Sequence, residues 1–255
     1  MLKNRVIPVL LLSGDRLIKT LRFKDPKYVG DPINAIRIFN DKEVDELIVL
    51  DVMASKSRRE PNYALIEKFA GECFMPLAYG GGIRSVEQAR QLFSMGIEKV
   101  CVQTSIIDNP RLISELSEKF GSQSVVVSLD VKRNWCGKRK YYSFSKRSYI
   151  DGDWQMILKK FVQLGAGEIL LNSVDKDGTL SGPDLKLISD AAQSIEVPLI
   201  ALGGIATLGD IKNVINAGAS AAAAGSFFVF HGPHRAVLIT YPNYKELEKL
   251  LSYDS

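Results

Sequence analysis

An internal repeat constrains the fold of this 255-residue chain more than any other feature of its sequence. The segment 79–105, YGGGIRSVEQARQLFSMGIEKVCVQTS, aligns with 202–226, LGGIATLGDIKNVINAGASAAAAGS, at an offset of 122. The same offset aligns DELIVLD at 45–51 with GEILLNS at 167–173. An offset of 119 aligns VIPVLL with VVVSLD, so that Leu11 stands opposite Asp130. The sequence therefore predicts two halves built to one plan.

Apolar runs alternate with amphipathic, helix-like segments along the whole chain. Eight runs are rich in Val, Ile, Leu or Ala: VIPVLLL, ELIVLDV, MPLAYGG, KVCVQT, SVVVSLD, EILLNSV, VPLIALGG and SAAAAGS. This alternation is typical of parallel βα units. Eight units in about 250 residues fit a (β/α)₈ TIM barrel, and the alternative is an open doubly wound sheet. The repeat favours one barrel domain made of half-barrels at about 1–120 and 121–255.

The composition is that of an ordinary globular protein and excludes several classes. Hydrophobic residues make up 46% of the chain and charged residues 24%. No apolar run approaches the ~20 residues of a membrane span, and the N-terminus lacks a signal-peptide cleavage pattern. The three cysteines have no metal-site spacing, and their odd number argues against a disulfide framework and for the cytoplasm. A net charge of +4 does not indicate nucleic-acid binding, and no metal or cofactor is indicated.

One segment interrupts the alternation. Residues 132–152, KRNWCGKRKYYSFSKRSYIDG, are basic and aromatic and lie between the fifth strand and its helix. We expect a β-hairpin over the barrel mouth. It serves either as a solvated insertion or as a lid or basic rim that attracts an anionic substrate.

Two glycine-rich strand ends predict anion sites. In a TIM barrel the active site lies at the carboxyl ends of the strands. Glycine lets an anion approach backbone N–H groups, and a Thr or Ser hydroxyl adds a donor. The expected phosphate ligands come in two sets related by the repeat: Gly82, Gln103 and Thr104 in the first half, and Gly204, Gly225 and Ser226 in the second. Tight strand-to-helix turns are the alternative explanation.

Carboxylates end three of the predicted strands or follow them closely. Asp130 ends the fifth strand, where a carboxylate suits general acid–base catalysis. It could also cap a helix or pair with the following cations. Asp175 and Asp177 follow the sixth strand in a DxDG run that lacks the further ligands of a calcium loop, so we expect a structured loop with auxiliary catalytic groups. Asp51 ends the second strand.

Four charged residues stand at strand starts, at the opposite end of the predicted barrel. They are Arg5, Glu46, Lys99 and Glu168, and the repeat relates the two glutamates. Such charges should converge on the barrel floor, where they must pair to offset their desolvation. The set is either a structural salt-bridge ring or a gate.

The chain resembles the cyclase subunit of imidazole glycerol phosphate synthase, a two-subunit glutamine amidotransferase. The motifs that carry the resemblance extend from Met1 to about Phe230. They are GDP at 30–32, DEL at 45–47, GGGI at 80–83, NP at 109–110, GSQSVVVSLDVKR at 121–133, GAGEILLNSVDKDGT at 165–179 and GGI at 203–205.

This resemblance implies a division of labour between two subunits. A separate glutaminase would dock on the barrel floor and release ammonia, which would pass the four-residue gate and the barrel interior to an anionic substrate at the mouth. The resemblance also makes Lys19, in the first loop, a catalytic residue beside Asp130. It supports the two phosphate sets given above.

The chain departs from the family at two places. The family has an aspartate where this sequence has Leu11, so one member of an acid–base pair is missing; such a loss commonly costs ~10²–10⁴ in rate. After Phe230 the sequence reads HGPHRAVLITYPNY, which resembles a cyclase-like branch associated with acetamidino sugars of surface polysaccharides. In that case His231, His234 and Arg235 become candidate substrate contacts, although the histidines could equally be ordinary surface residues.

These departures leave three hypotheses open. The first is a barrel that passes ammonia to a sugar-derived anionic substrate, for example to amidinate an acetamido sugar in lipopolysaccharide biosynthesis. The second is a working cyclase of histidine biosynthesis, in which Asp51 or Asp177 takes over from the missing aspartate. The third is a non-catalytic scaffold that docks and activates a glutaminase.

Overall fold

The computed structural model describes residues 4–251. Its strands are β1 (Arg5–Ser13), β2 (Arg16–Leu21), β3 (Lys24–Gly30), β4 (Leu47–Asp51), β5 (Leu77–Gly80), β6 (Lys99–Val102), β7 (Val125–Arg133), β8 (Arg139–Ser143), β9 (Ser148–Tyr149), β10 (Glu168–Ser173), β11 (Leu199–Leu202), β12 (Ala221–Ala224), β13 (Phe230–His231) and β14 (Ala236–Val237). Its α-helices are α1 (Pro32–Asp41), α2 (Tyr63–Ala70), α3 (Val86–Ser94), α4 (Thr104–Asp108), α5 (Arg111–Phe120), α6 (Trp154–Gln163), α7 (Leu185–Ala192), α8 (Leu208–Asn216), α9 (Ser226–Val229) and α10 (Tyr244–Leu251).

Eight parallel strands close into a barrel. In order around the barrel they are β1, β4, β5, β6, β7, β10, β11 and β12, and β12 pairs again with β1. These strands are the eight apolar runs of the sequence, and the predicted TIM barrel is confirmed. The half-barrel boundary near residue 120 falls just after α5 and stays a prediction.

The helices cover the outside of the barrel and begin at capping side chains. Asp31, Asn62, Ser85, Asp153 and Asp184 each accept a hydrogen bond from a backbone N–H in the first turn of the following helix. Such caps satisfy N–H groups that the helix itself leaves unpaired. None of the helices within residues 4–251 is long and apolar enough to cross a membrane.

Side chains alternate between two hydrophobic clusters. On β1, Val6, Leu10 and Leu12 face the helices, whereas Ile7 and Val9 face the barrel interior. This follows from the period of two along a strand. The interior cluster contains only apolar residues and one thiol: Ile7, Val9, Ile48, Ala78, Cys101, Val126, Leu170, Ile200, Ala221 and Ala223, with Leu11, Leu50 and Leu202 packed against them.

Three sets of short antiparallel strands lie outside the barrel strands. The first, β2–β3, pairs with the end of β1 and corrects the expectation that Lys19 lies in a loop. The second continues β7 into β8 and β9, within the segment 132–152. The third is the short β13–β14 pair. These short strands decide what surrounds the mouth of the barrel.

Candidate active site at the barrel mouth

Two cavities lie side by side at the carboxyl ends of the barrel strands. The larger has a volume of about 140 Å³ and is lined by residues that include Gly82, Thr104 and Asp130. The smaller has a volume of about 30 Å³ and includes Gly204 and Ser226 in its wall. Leu11 lines both cavities. The structure thus brings each set of predicted phosphate ligands to its own cavity, and the role of these residues stays a prediction.

The glycines of the two sets are required by the backbone. Gly82 has φ of 77° and Gly204 has φ of 95°, in the left-handed region that other residues rarely adopt. A Cβ atom at either position would also collide with a carbonyl oxygen, that of Arg59 at Gly82 and that of Gly182 at Gly204. Close packing of these turns therefore explains both glycines without a ligand, and the turns leave room for an anion at the adjoining strand end.

Asp130 is a buried carboxylate on β7, three residues before the end of that strand. Only 6% of the residue is exposed, and two amides donate to it: Gln103 Nε2 to Oδ2, and Asn172 Nδ2 to Oδ1 at 3.1 Å. Burial raises the pKa of Asp130 to about 7; the two amide hydrogen bonds oppose this and the charge of Asp177 adds to it. A carboxyl group with such a pKa can act as acid or base near neutral pH.

The side chain of Gln103 donates a hydrogen bond to Asp130. Its side chain is committed to the carboxylate of Asp130, so the anion-binding role expected for Gln103 would fall to its backbone. Thr104, the next residue, is the first residue of α4. The side chains of Gln103 and Asn172 thus hold one carboxylate from both sides.

Lys19 is buried on β2, beside the smaller cavity. Only 5% of the residue is exposed, and its Nζ donates to the backbone oxygen of Val9. Burial lowers the pKa of Lys19 to about 8, and the charge of Asp177 opposes that change. A Cβ atom on Gly225 would meet Lys19 Nζ, so the amine lies directly against the second set of predicted phosphate ligands.

Asp177 anchors the β2–β3 hairpin over the mouth. Its Oδ2 accepts from Thr20 Oγ1 at 3.1 Å and from the backbone N–H of Phe23 at 3.3 Å. Burial raises the pKa of Asp177, while these hydrogen bonds and Lys19 oppose the rise. Phe23 in turn packs edge-on against Phe144 at 5.4 Å between ring centroids. The first hairpin and the 132–152 segment therefore meet above the larger cavity.

The 132–152 segment contains seven Lys or Arg residues and one Asp, but several of its cations are paired. Arg139 contacts Asp184 at 2.7 Å and Asp190 at 2.9 Å, and Arg133 contacts Asp184 at 3.3 Å. Burial also differs along the segment, since Trp135 at the β7–β8 turn is 95% exposed. Pairing with acidic residues of the barrel thus reduces the basic character expected from the sequence.

The remaining candidates occupy distinct positions. Asp51 is buried; its Oδ1 accepts from the N–H groups of Met53 and Ala54, and burial raises its pKa against those bonds. Asp175 Oδ2 accepts from the backbone N–H of Arg133 at 2.8 Å. Arg235 donates to the backbone oxygen of Gly178 at 3.2 Å, which places it over the loop after β10.

The two histidines are surface residues in this structure. Both His231 and His234 are exposed, on or beside the β13–β14 pair. No group of three or more His, Cys, Asp or Glu side chains within residues 4–251 is arranged to hold a metal ion.

A closed ring of charges lies at the other end of the barrel. Arg5 contacts Glu46 and Glu168. Lys99 Nζ also contacts both, at 2.8 Å to Glu46 and 3.0 Å to Glu168. The side chains of the two cations are 23% and 20% exposed, whereas those of the carboxylates are 3% and 5% exposed. The four predicted gate residues therefore form one neutral ring, with its cations toward the floor solvent.

The charge of Arg5 is reinforced by this arrangement. Burial alone would lower the pKa of Arg5, but the hydrogen bonds and charges of Glu168 and Glu46 raise it above its ordinary value. Above the ring the interior is apolar as far as the cavity walls, where Leu11, Leu50 and Leu202 border the interior cluster. A ring, an apolar interior and a buried acid are thus stacked along the barrel axis.

Asn172 was missed by the sequence analysis. It is the penultimate residue of β10, in direct register with Asp130 on β7. The signal was present, because the segments SVVVSLD and EILLNSV place a polar residue at the same depth of neighbouring strands. Only the register of the two strands shows that the two side chains meet.

The fold and the site define the class of protein: a (β/α)₈ barrel with two glycine-rich strand ends at its mouth and a ring of charged side chains at its floor. The chain belongs to the family described as "Histidine biosynthesis protein", whose model matches residues 5–234. The region that the family model matches includes the charged ring, Asp130 and both sets of predicted phosphate ligands.

Individual relatives fall into two groups by name. Those called "Putative imidazole glycerol phosphate synthase subunit" include hisF2 of Pseudomonas aeruginosa, 50% identical over 97% of this chain and 99% of that protein, and HisF of Leptospira borgpetersenii, 47% identical over 98% and 99%. "Imidazole glycerol phosphate synthase subunit HisF" of Alkaliphilus metalliredigens is 39% identical over 91% of this chain and 92% of its own length.

Proposed function

We propose that this chain is the ammonia-accepting barrel subunit of a glutamine amidotransferase whose original cyclisation chemistry has been lost. A glutaminase would release ammonia at the barrel floor, and the barrel would pass it to an anionic, sugar-derived substrate at the mouth. The single observation that carries the proposal is the stack of a charged ring, an apolar interior and a buried, amide-bound Asp130 on one axis. The family and the relatives' names support the amidotransferase part.

The charged ring supports passage of ammonia rather than ammonium. A bare cation entering the apolar interior would lose its hydration without a counter-ion there, which is strongly unfavourable. Neutral ammonia carries no such penalty. In the ring, Glu46 and Glu168 each contact both Arg5 and Lys99. If one of the two cations moved slightly aside, a path would open, and each carboxylate would still be paired with the other cation.

Phe74 supports the proposed docking face. It lies in the loop between α2 and β5, on the floor side of the barrel, and is 88% exposed. The loop is held in place: Asn40 Oδ1 accepts from Phe74 N at 3.1 Å, and Arg37 contacts Glu72 through two hydrogen bonds of 2.7 and 3.0 Å. Aromatic side chains, Phe among them, are enriched at protein–protein interfaces.

Leu11 supports loss of the cyclisation. It packs beside Leu50 on β4 and Ile18 on β2, in a wall shared by the two cavities. Asp130 lines the larger cavity without a second carboxylate at the position of Leu11. Asp177, another candidate replacement, holds the first hairpin through Thr20 and Phe23, so its Oδ2 atom is already engaged.

We infer that the substrate is an acetamido sugar and the product its acetamidino derivative. Exchange of an amide oxygen for ammonia releases that oxygen, so an activating enzyme must first convert the oxygen into a leaving group. The two predicted anion sites would hold a phosphorylated or nucleotide-linked sugar. The resemblance of the HGPHR segment, 231–235, to the acetamidino branch motivates the choice of sugar.

A direct assay tests the proposed function. The chain would be mixed with the phosphoribosyl intermediate of the synthase reaction and ammonium salt, and we expect little or no cyclised product. Leu11→Asp would restore a carboxylate in the larger cavity at a cost of about 1–3 kcal/mol in stability. A partial gain of cyclase activity would show that the pocket still accepts the ancestral substrate.

The remaining outcomes decide between the alternatives. High cyclase activity of the unchanged chain would refute the proposed loss and identify a working synthase. A glutaminase that is activated by the barrel but yields no ammonia at the mouth would identify a scaffold. Phe74→Ala should weaken the complex with the glutaminase by about 1–3 kcal/mol, whereas Phe23→Ala, at the mouth, should leave that affinity unchanged.

A further inference from the structure

Arg235 is a cation that is held at the barrel mouth without a counter-ion. Its Nη2 donates to the backbone oxygen of Gly178 at 3.2 Å, and within residues 4–251 its guanidinium forms no other hydrogen bond and no ion pair. The residue is half-buried, whereas His234 and Ala236 on either side of it are exposed. Because a guanidinium carries five N–H donors, four of them remain for solvent or for a ligand.

The position of Arg235 is fixed from both sides of this contact. Its φ of 50° lies in the left-handed region, which is unfavourable for a residue with a side chain, and its backbone N–H closes the β13–β14 turn on the oxygen of Gly232 at 3.1 Å. Gly178 packs closely on β2, since a Cβ atom there would lie 2.1 Å from the backbone oxygen of Thr20. The guanidinium therefore has a defined place beside the loop after β10.

The smaller cavity brings a second unpaired cation close to this place. Gly178 lines that cavity together with Lys19 and Ser226. Lys19 also forms no ion pair shorter than 4 Å within the described part of the chain, and with a pKa of about 8 it is mostly charged at pH 7. One cation in the wall and a second in contact with Gly178 thus outnumber the single carboxylate of the wall, that of Asp177.

The larger cavity has the opposite balance of charge. Its wall contains the carboxyl groups of Asp51, Asp130 and Asp177 and, from residues 4–251, no Lys, Arg or His. The cation Arg59 lies nearby, but it contacts Asp51 at 3.8 Å. The two predicted phosphate sites correspond to each other by the repeat and yet differ in charge, so they should not bind an anion equally well.

We propose that Arg235 and Lys19 together bind a doubly charged phosphate end of the substrate in the smaller cavity, so that the reacting end lies in the larger cavity beside Asp130. A phosphate monoester carries about two negative charges near neutral pH, and so does the diphosphate of a nucleotide-linked sugar. Guanidinium donors form strong, directed bonds to phosphate oxygens. The family model ends at residue 234, so Arg235 is not part of the family pattern. The inference rests on the proposed function for the reaction at Asp130.

Binding can be measured without a partner or a reaction. The full-length, ¹⁵N-labelled chain would be titrated at pH 7 with glucose 1-phosphate, a monoester, and with UDP-glucose, a diphosphate. The backbone signals of Ser226 and Thr104 report on the smaller and the larger cavity. We expect the Ser226 signal to shift saturably, at lower concentrations than the Thr104 signal. The probe that binds more tightly shows which form of phosphate the smaller cavity prefers.

Matched variants separate the charge of Arg235 from its structural contact. Arg235→Gln keeps an N–H donor for the oxygen of Gly178 and removes the charge. It should weaken binding of the tighter probe about tenfold and leave the urea midpoint of unfolding unchanged, whereas Arg235→Lys should recover part of the affinity. Arg59→Gln makes the same change beside the larger cavity and should leave the affinity measured at Ser226 unchanged.

Three results would overturn the proposal. The first is an Arg235→Gln variant that binds both probes as tightly as the unchanged chain. The second is a probe that shifts the Thr104 signal at lower concentrations than the Ser226 signal, and the third is no saturable shift with either probe. If the probes bind as expected but no sugar substrate reacts with ammonia, the phosphate site stands and the proposed function fails.

Discussion

Replacing Asp130 by asparagine should stabilise the protein, and the gain should depend on pH. The carboxyl group has an ordinary pKa of 3.8 in the unfolded chain and a pKa of about 7 in the folded one, chiefly because of burial. Between these values the folded state binds more protons than the unfolded state. The free energy of unfolding therefore falls as the pH rises from about 4 to about 7, and the loss is complete above pH 7.

The magnitude follows from the same two pKa values. A difference of one pKa unit corresponds to about 1.4 kcal/mol. The raised pKa of Asp130 therefore lowers the free energy of unfolding by about 4 kcal/mol above pH 8 and by about 1.6 kcal/mol at pH 5. Asparagine removes that charge but offers only one acceptor to the two amides of Gln103 and Asn172, which costs about 1–2 kcal/mol at every pH. We expect a net gain of about 2–3 kcal/mol at pH 8.5 and a difference near zero at pH 5.

Urea denaturation at the two pH values measures this directly. The free energy of unfolding of Asp130→Asn is compared with that of the unchanged chain at pH 5 and at pH 8.5. The difference between the two proteins should grow by about 2–3 kcal/mol from the lower to the higher pH, and the lost hydrogen bond does not affect this growth because its cost is the same at both pH values. Ser128→Ala, which removes a group that does not titrate from the same cavity, is the matched control and should show no such change. An Asp130→Asn variant whose stability difference is equal at both pH values would refute the argument from burial.

Three further predictions concern the partner, the anion sites and the ring. The protein alone should release no glutamate from glutamine, because burial raises the pKa of its Cys73 and Cys101 thiols to about 11 and about 12; measurable release would contradict the assignment. Crystals soaked in sulfate should show one anion near Thr104 and one near Ser226, whereas anions found only elsewhere would count against both sites. Lys99→Met should destabilise the fold by about 2–4 kcal/mol, because it leaves two buried carboxylates with one cation, and chemical denaturation gives the value.

The fold could be predicted because its signals are local and repeated. Each barrel strand is an apolar run bounded by turn residues, and the repeat independently indicates two similar halves. The β2–β3 hairpin was missed because its residues 16–30 carry many charges and face solvent. A period-two signal was nevertheless present, since Leu17 and Lys19 are both buried on one face of β2.

The site could be predicted only as a set of residue types. The sequence motifs predicted that Asp130, Lys19 and the glycines lie at the mouth of the barrel, where the structure has them. They gave no information on the direction of a side chain. Gln103 was expected to face an anion and instead contacts Asp130. Asn172 was not singled out at all, although its strand lies beside that of Asp130. Such contacts depend on the register between strands that are about forty residues apart in sequence, which no local pattern specifies.

Leu11, in place of the family's aspartate, removes a carboxylate from the barrel mouth and also changes how the remaining carboxylate titrates. With two carboxylates in one cavity, ionisation of the first would oppose ionisation of the second, and the pair would titrate in two coupled steps. With Leu11 in place that second carboxylate is absent, and the pKa of Asp130 is raised by burial and by the charge of Asp177, against its two amide donors. Asp130 can therefore exchange a single proton near neutral pH. Under the proposed function, a single acid–base group of this kind suits proton exchange with ammonia.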